Sequence, residues 1–409
     1  MKLESHQRYD YSPITERPDF SWPQGRRLAF YIALNVEHFG FGGGLGHTLT
    51  ALGPAPDQRN YAWRDYGLRV GIWRIFDLMA ELKLPLCHLL NSTVCEHQPQ
   101  IIARIRERGD EVVGHGRTNS ERQSDLDEAE EADLIREATE TLAQAFGQPP
   151  EGWMSPWIAE TLHTPDLLKA AGYRYLMDWP ADDQPIWMRT RYGPLLSVPY
   201  PIEINDSPVM LSRMQPATDF YRMLIDQFET MLSLSERQPL ICGVALHTFV
   251  AGQPFRLAQI RRALQEIVNH ADFSKVWVST PGAIARYADL SEQFVALLKR
   301  DLPSLQPFDP ASLPEIDFYV WQTDYPKSFP ERDVIEKLVP AVGGFIGDLL
   351  VARLGGRWVP GRHLQDAGVA LGDRVWLPFL RARHYLQSKE AALDYSLTQF
   401  FREAARHAR

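Results

Sequence analysis

From residue 28 onward, short runs of consecutive apolar positions alternate with stretches of helical spacing. LAFYIALN (28–35), PLCHLLN (85–91), DEVVGHG (110–116), YRYLMD (173–178), PLLSVPY (194–200), PLICGVALH (239–247) and KVWVST (275–280) read as strands. Runs this continuously apolar suit a parallel sheet covered on both faces. Between them, LRVGIWRIFDLMAELKL (68–84) places Val70, Trp73 and Ala80 on one set of turns, with Ile72, Ile75 and Met79 beside them. QIIARIRERG (100–109) is a short helix stopped by Gly109. LDEAEEADLIREATETLAQAFG (126–147) is a long one, with an acidic start and a glycine at its end. Further helices are expected over TPDLLKAAG (164–172), DFYRMLIDQFETMLSL (219–234) and FRLAQIRRALQEIVNH (255–270). Repeated strand–helix units predict an α/β barrel over residues 20–295.

The pattern changes after about residue 300. DLPSLQPFDPASLPE (301–315) holds four prolines and reads as a linker. Residues 306–409 are expected to form a separate small α+β domain. IDFYVWQ (316–322) and DRVWLPFL (373–380) read as strands, 333–356 and 389–407 as helices. The glycine-containing helix is expected to pack closely against RVWLPFL (374–380).

Composition narrows the picture. The 409 residues carry 43 Lys and Arg against 52 Asp and Glu, a net charge of −9. That disfavours nucleic acid or an anionic membrane as the main partner and leaves a small-molecule substrate. Self-association into a homo-oligomer is left open. Cys87, Cys95 and Cys242 fit neither a zinc nor a disulfide framework. The N-terminus has no apolar signal core and no run is long enough to span a bilayer, so a cytoplasmic location is expected.

Polar residues gather at the C-terminal ends of the predicted strands, the catalytic face of an α/β barrel. Asn35, Glu37 and His38 follow the first strand; His115, Arg117 and Asn119 follow DEVVG. Asp178, Asp182 and Asp183 follow YRYLM; Glu203, Asn205 and Asp206 follow SVPYP; His247 ends GVALH. GFGGGLGHT (40–48) lacks the context of a nucleotide-binding loop and is expected to be a mobile loop at the mouth. Trp157 is placed at the pocket wall. DWPADDQP (178–185) offers carboxylates to substrate N–H groups or caps a solvated turn.

ALNVEHFGFG, GDEVVGHGRTNSE, GWMSPWIAETLHTPDLLKAAGYRYLMDWPADDQP and GVALHTFVAGQPFR, with residues 64–91, resemble the polysaccharide deacetylase (NodB homology) superfamily. Among its branches they are most similar to the metal-independent allantoinases. The resemblance spans about residues 20–290 and implies a deformed (β/α) barrel of about seven strands. It implies a hydrolase of non-peptide C–N bonds, amide or ureide, on a small substrate. Metal-dependent members carry an Asp base and an Asp ligand on the first strand and a His-x-x-x-His pair later. Here Asn35 and Glu37 stand at the first two positions, His115 matches the first histidine, and Asn119 replaces the second.

An amide is a poor ligand beside an imidazole and carries no charge. Glu37, His115 and Asn119 therefore make at most a weak divalent-metal set, and a site without a tightly bound cofactor is expected. A base and hydrogen-bond donors must then do the chemistry. Glu37, His115 and His247 are the candidate catalytic residues. Asn35, Arg117, Asn119, Trp157, Asp182 and Asp183 are the candidate substrate-binding residues. Two alternatives stand beside this reading: a metal-dependent N-deacetylase of a carbohydrate, and a degenerate barrel kept as a non-catalytic binding module.

Overall fold

Nine consecutive buried residues, Leu28–Val36, form the central strand β1. The computed structural model describes residues 6–17, 22, 26–306, 309–328, 334–359, 364–366, 368–388 and 393–408. Strands β2 (Cys87–Leu90), β3 (Glu111–Gly114), β4 (Gly152–Trp153), β5 (Tyr175–Leu176), β6 (Ile186–Thr190), β7 (Gly193–Ser197), β8 (Leu240–His247) and β9 (Val276–Val278) join it in one sheet. The order is β6-β7-β5-β4-β3-β2-β1-β8, with β9 also on β1. Every pairing of β1, and those from β2 through β5 to β7, is parallel.

β8 runs along one whole edge of β1, from Leu28↔Leu240 to Asn35↔His247. A strand has only two edges, so β2 and β9 must share the other. β9 takes Leu28–Phe30 and β2 takes Ala33–Val36. This shared edge is the deformation of the barrel, and it leaves the C-terminal end of β1 between β2 and β8.

Helices α1 (Gln58–Tyr66), α2 (Ile72–Leu82), α3 (Thr93–His97), α4 (Pro99–Arg108), α5 (Glu128–Phe146), α6 (Thr164–Ala170), α7 (Ala217–Leu234), α8 (Thr248–Ala251) and α9 (Pro254–Val268) accompany the sheet. Their apolar stripes build one core. Ile72, Ile75, Phe76 and Met79 come from α2, Phe220, Leu224 and Phe228 from α7, and Ile260, Leu264 and Ile267 from α9. Local signals set the ends as expected. Asp127 caps α5 in a capping box with Glu130, and Gly147 closes it at φ 81°. A π-helical turn, Gly67–Gly71, joins α1 to α2 and packs against α8. A Cβ on Gly71 would stand 2.2 Å from the Thr248 carbonyl oxygen, so only glycine permits this approach.

The chain divides into two compact units. One is Tyr9–Trp187 with Leu196–Ala285; the other is Met1–Arg8, Met188–Leu195 and Arg286–Arg409. The boundary therefore falls before residue 295, where the sequence pattern put the end of the barrel. The proline-rich stretch is not the divide. Helix Leu290–Asp301 precedes it and buries Phe294, Val295 and Leu298 in the second core.

That second unit mixes helices with a three-stranded antiparallel sheet of β10 (Arg357–Val359), β11 (Gly368–Leu371) and β12 (Arg374–Trp376). Residues 316–322, expected as a strand, belong to helix Leu313–Gln322. Leu313, Ile316 and Val320 are buried at helical spacing, while Phe318 on the other side is 64% exposed. Helical burial has overridden the β-propensity of the aromatic run. DRVWLPFL is a strand only through Trp376; Pro378 then opens helix Pro378–Gln387. Helix Val339–Leu354 presents Gly343 to that helix, where a Cβ would meet Phe379 at 2.3 Å, the close packing that the sequence suggested. Residues 333 and 389–392, at the starts of two expected helices, lie outside the described residues. Among the described residues no helix is long and apolar enough to cross a membrane.

Candidate active site

The site is built by strand register. Val36 lies opposite Leu90, Leu90 opposite Gly114, and Gly114 opposite Trp153. The next residues on these strands are Glu37, Asn91, His115 and Met154, and they form one row at the C-terminal edge of the sheet. On the other side of β1, His247 lies opposite Asn35. Side chains at i and i+2 share a face, so Glu37 rises above Asn35 toward His247.

Glu37 is buried where this row meets His247. Its Oε1 accepts a hydrogen bond from Asn119 Nδ2 at 2.6 Å. His115 Nε2 lies 3.8 Å and His247 Nε2 3.7 Å from the same oxygen. Burial pushes the Glu37 carboxyl up, but the imidazoles of His247, His115 and His47 outweigh it and hold it below its ordinary value. Among the described residues, buried Glu37 Oε2 and His115 Nε2 have no hydrogen-bond partner.

Each histidine is held from behind. His115 Nδ1 sits 2.7 Å from the Met154 carbonyl oxygen, which can only accept, so Nδ1 carries a proton and Nε2, facing Glu37, is the position where a proton can leave or join. His247 Nδ1 faces Asp206 Oδ1 at 2.7 Å, and Asp206 Oδ2 accepts from the His247 backbone N–H at 2.9 Å. Burial lowers the proton affinity of His247, but Glu37 and Asp206 overcome this and raise it above its ordinary value. Behind His115, both oxygens of Asp178 accept from Ser155, from its N–H and its hydroxyl at 2.7 Å each. Burial pushes Asp178 up to about 6, against those hydrogen bonds and the charge of His115.

The glycine-rich segment 40–48 contributes a group that strand-end reasoning missed. Gly40 N donates to Ser120 Oγ at 2.6 Å and Leu45 N to the Ser120 carbonyl at 2.8 Å. Gly44, at φ +79°, would press a Cβ to 2.5 Å from that carbonyl oxygen. Fastened in this way, the segment carries His47 over the pocket. Its ring lies 4.6 Å from Trp157, 5.6 Å from Phe249 and 5.9 Å from His247. Burial lowers the His47 pKa to about 4, against the charge of Glu37. Arg64 Nη1 donates to the His47 carbonyl at 2.6 Å. A histidine closing a glycine-rich loop just after a site strand was the one available signal.

Asn119 and Trp157 belong to the same pocket. Asn119 Oδ1 accepts from Asn91 Nδ2 at 2.9 Å, and its carbonyl accepts from Trp157 Nε1 at 3.1 Å. Trp157 and Ile158 hold φ of 65° and 55°, a left-handed pair costing about 1–3 kcal/mol each. Asn35 lies below Glu37, and its amide is spent within the protein, on Tyr200 Oη at 3.0 Å and the Leu246 carbonyl at 3.1 Å. His38 turns away and stacks on His97 at 4.8 Å.

Three expected residues are placed elsewhere. Arg117 is part-exposed and forks onto Glu121 at 2.8 and 3.0 Å, with Glu137 at 2.8 Å. Those carboxylates on its own surface outcompete a buried pocket for a guanidinium. Arg64, whose guanidinium lies over the Phe39 ring, is the arginine that reaches the His47 carbonyl. Asp182 pairs with Arg17 at 2.5 and 2.7 Å. The Asp183 carbonyl accepts from Ile241 at the start of β8, whereas His247 ends that strand. Six residues at about 3.3 Å each put roughly 20 Å between them. Asp182 and Asp183 line a different cleft of about 630 Å³ with Tyr9, Arg17 and Trp187.

The site is thus a cluster of carboxylate, imidazole and amide groups at the C-terminal edge of a deformed parallel barrel. Comparison with known proteins shows what this barrel resembles. The polysaccharide deacetylase family profile matches residues 56–176. A Schizosaccharomyces pombe (strain 972 / ATCC 24843) protein named "Putative polysaccharide deacetylase" is 26% identical over 308 residues, 67% of this chain and 93% of that one. Among solved structures, Puue allantoinase superposes with a TM-score of 0.62 at 24% identity, over 68% of this chain and 97% of its own. A probable polysaccharide deacetylase of Pseudomonas aeruginosa PAO1 superposes with a TM-score of 0.61 at 25% identity, over the same shares. Residues 56–176 thus match the polysaccharide deacetylase family, and the barrel has the fold of solved structures that carry that name.

Proposed function

We propose that this pocket hydrolyses a non-peptide C–N bond in a small amide- or ureide-bearing substrate. One observation carries the reading. Glu37 Oε2 and His115 Nε2 are both buried and, among the described residues, unpartnered, within a cluster that also holds His247. Leaving a buried polar atom unpaired costs about 1–3 kcal/mol, a cost that a bound reactant would relieve.

In this reading the His115 Nε2 lone pair takes a proton from water as the water oxygen adds to the substrate carbonyl carbon. The Glu37 carboxylate stabilises the imidazolium that forms. His247, favoured in its charged form by Glu37 and Asp206, gives its Nε2 proton to the leaving nitrogen as the C–N bond breaks. Asn119 orients Glu37, and the rings of Trp157 and His47 wall a space suited to a planar group. The names of the similar proteins supply two substrate classes, a ureide and an acylated amine.

The test is hydrolysis of allantoin and of N-acetylated amino sugars by the full chain. Turnover of one class is expected, falling by about 10²-fold or more in Glu37→Gln and in His115→Gln. Rates for both classes no higher than those of Glu37→Gln would overturn the reading.

A further inference from the structure

We infer that Glu37, His47 and His247 form a binding site for one zinc-class divalent cation. A carboxylate oxygen of Glu37 and one ring nitrogen of each histidine all lie within 4.8 Å of one another. One carboxylate with two imidazoles is a donor set that suits zinc and its neighbours. A second, independent feature points the same way. Glu37 Oε2 and His115 Nε2, on side chains at most 3% exposed, have no hydrogen-bond partner among the described residues.

The surroundings are those of a ligand set. Asp206 holds His247 Nδ1 at 2.7 Å and so turns Nε2 inward, as carboxylates do behind metal-bound histidines. Asn119 takes no part as a ligand in this set. Its amide hydrogen is donated to Glu37 Oε1 and its oxygen accepts from Asn91. The sequence pattern compared Glu37 with His115 and Asn119 and found two good ligands. The folded chain offers Glu37 with His47 and His247, the former brought in by the fastened glycine-rich segment. An ion bound there would supply Lewis acidity, and the lone pair on His115 Nε2 would stay outside the triad. The inference rests on ligand geometry; an ion on His247 Nε2 takes the place of the proton that this atom carries in the hydrolase reading, so metal-loaded and proton-donating His247 are alternative states.

The test uses the full chain, stripped with chelator and dialysed. Zinc is titrated in by calorimetry, bound metal is counted by mass spectrometry, and copper(II) serves as a spectroscopic probe. One ion per chain is expected, with nitrogen hyperfine structure from two imidazoles in the copper spectrum. His47→Gln should weaken zinc binding by at least about 10–100-fold and remove one imidazole from that spectrum. Asp206→Asn, which keeps every ligand, should weaken it by about 10–100-fold. Arg117→Gln should bind as the parent does. Far-UV circular dichroism verifies that each variant is folded. Less than a tenth of an ion per chain, or a His47→Gln protein that binds like the parent, overturns the site. Failure of the hydrolase reading is separable, because turnover is measured on the chelator-stripped chain and metal binding by calorimetry and mass spectrometry, so either can be absent while the other stands.

Discussion

Asn119 gives a hydrogen to Glu37 Oε1 at 2.6 Å and takes one from Asn91, so it fixes the rotamer of the central carboxylate. An imidazole at the same place would be a metal ligand; the amide is a clamp. Asp178 works one layer further back, and its proton affinity makes a separate prediction. Burial pushes it up to about 6, while in the unfolded chain it titrates near 3.9. A carboxyl raised in the folded state adds stability that is fully present below the unfolded value and is lost as pH rises through the folded one. The ionised form at pH 8 is therefore the unfavourable one. In Asp178→Asn the amide can still accept from Ser155 N and donate to Ser155 Oγ. The variant should gain stability relative to the parent between pH 5 and pH 8, read as the difference in urea midpoint. An equal difference at both pH values would refute the assignment.

Among the elements, the contact of the Gly67–Gly71 turn with α8 matters because α8 begins one residue after His247. Gly71 and Gly252 face each other, and a Cβ on Gly252 would meet Gly71 Cα at 2.2 Å. Gly71→Ala must push backbone against backbone, and should cost about 1–3 kcal/mol in urea unfolding. Gly43→Ala is the control: nothing lies within 4 Å of its would-be Cβ, and the change should stay within about 0.5 kcal/mol. Equal effects of the two would show that the close approach is not what sets the position of α8.

For the whole molecule, the two apolar clusters share no residue. Phe345 is 2% exposed in the second. Phe345→Ala should cost that unit about 3–5 kcal/mol. In the folded protein at 25 °C, kcat/KM of hydrolysis should stay within about twofold, because every site residue lies in the first unit. Calorimetry and steady-state kinetics on the same preparation check both halves. A parallel loss of activity would show that the second unit takes part in the site.

Much of the architecture was legible in the chain because burial periodicity is a local property. Strand runs and helix stripes from residue 28 to 280 occupy nearly the places their spacing predicts, and Gly109 and Gly147 end helices at left-handed φ. β4 and β6 were not legible as strands; neither sits in a long apolar run, and pairing with neighbours creates them. In the site, Glu37, His115 and His247 stood out because each follows an apolar run, and a strand end needs no long-range information. Their convergence does need it, since it depends on Val36, Leu90 and Gly114 being in register. Asp206 reaches His247 across 41 residues of chain, and His47 arrives on a loop without periodicity. Arg117 and Asp182 were lost to the site for the converse reason. A long charged side chain goes to the nearest opposite charge, and tertiary structure had placed Glu137 and Arg17 within reach. Local sequence determined which residues stand at strand ends; only the folded chain decided which of them meet.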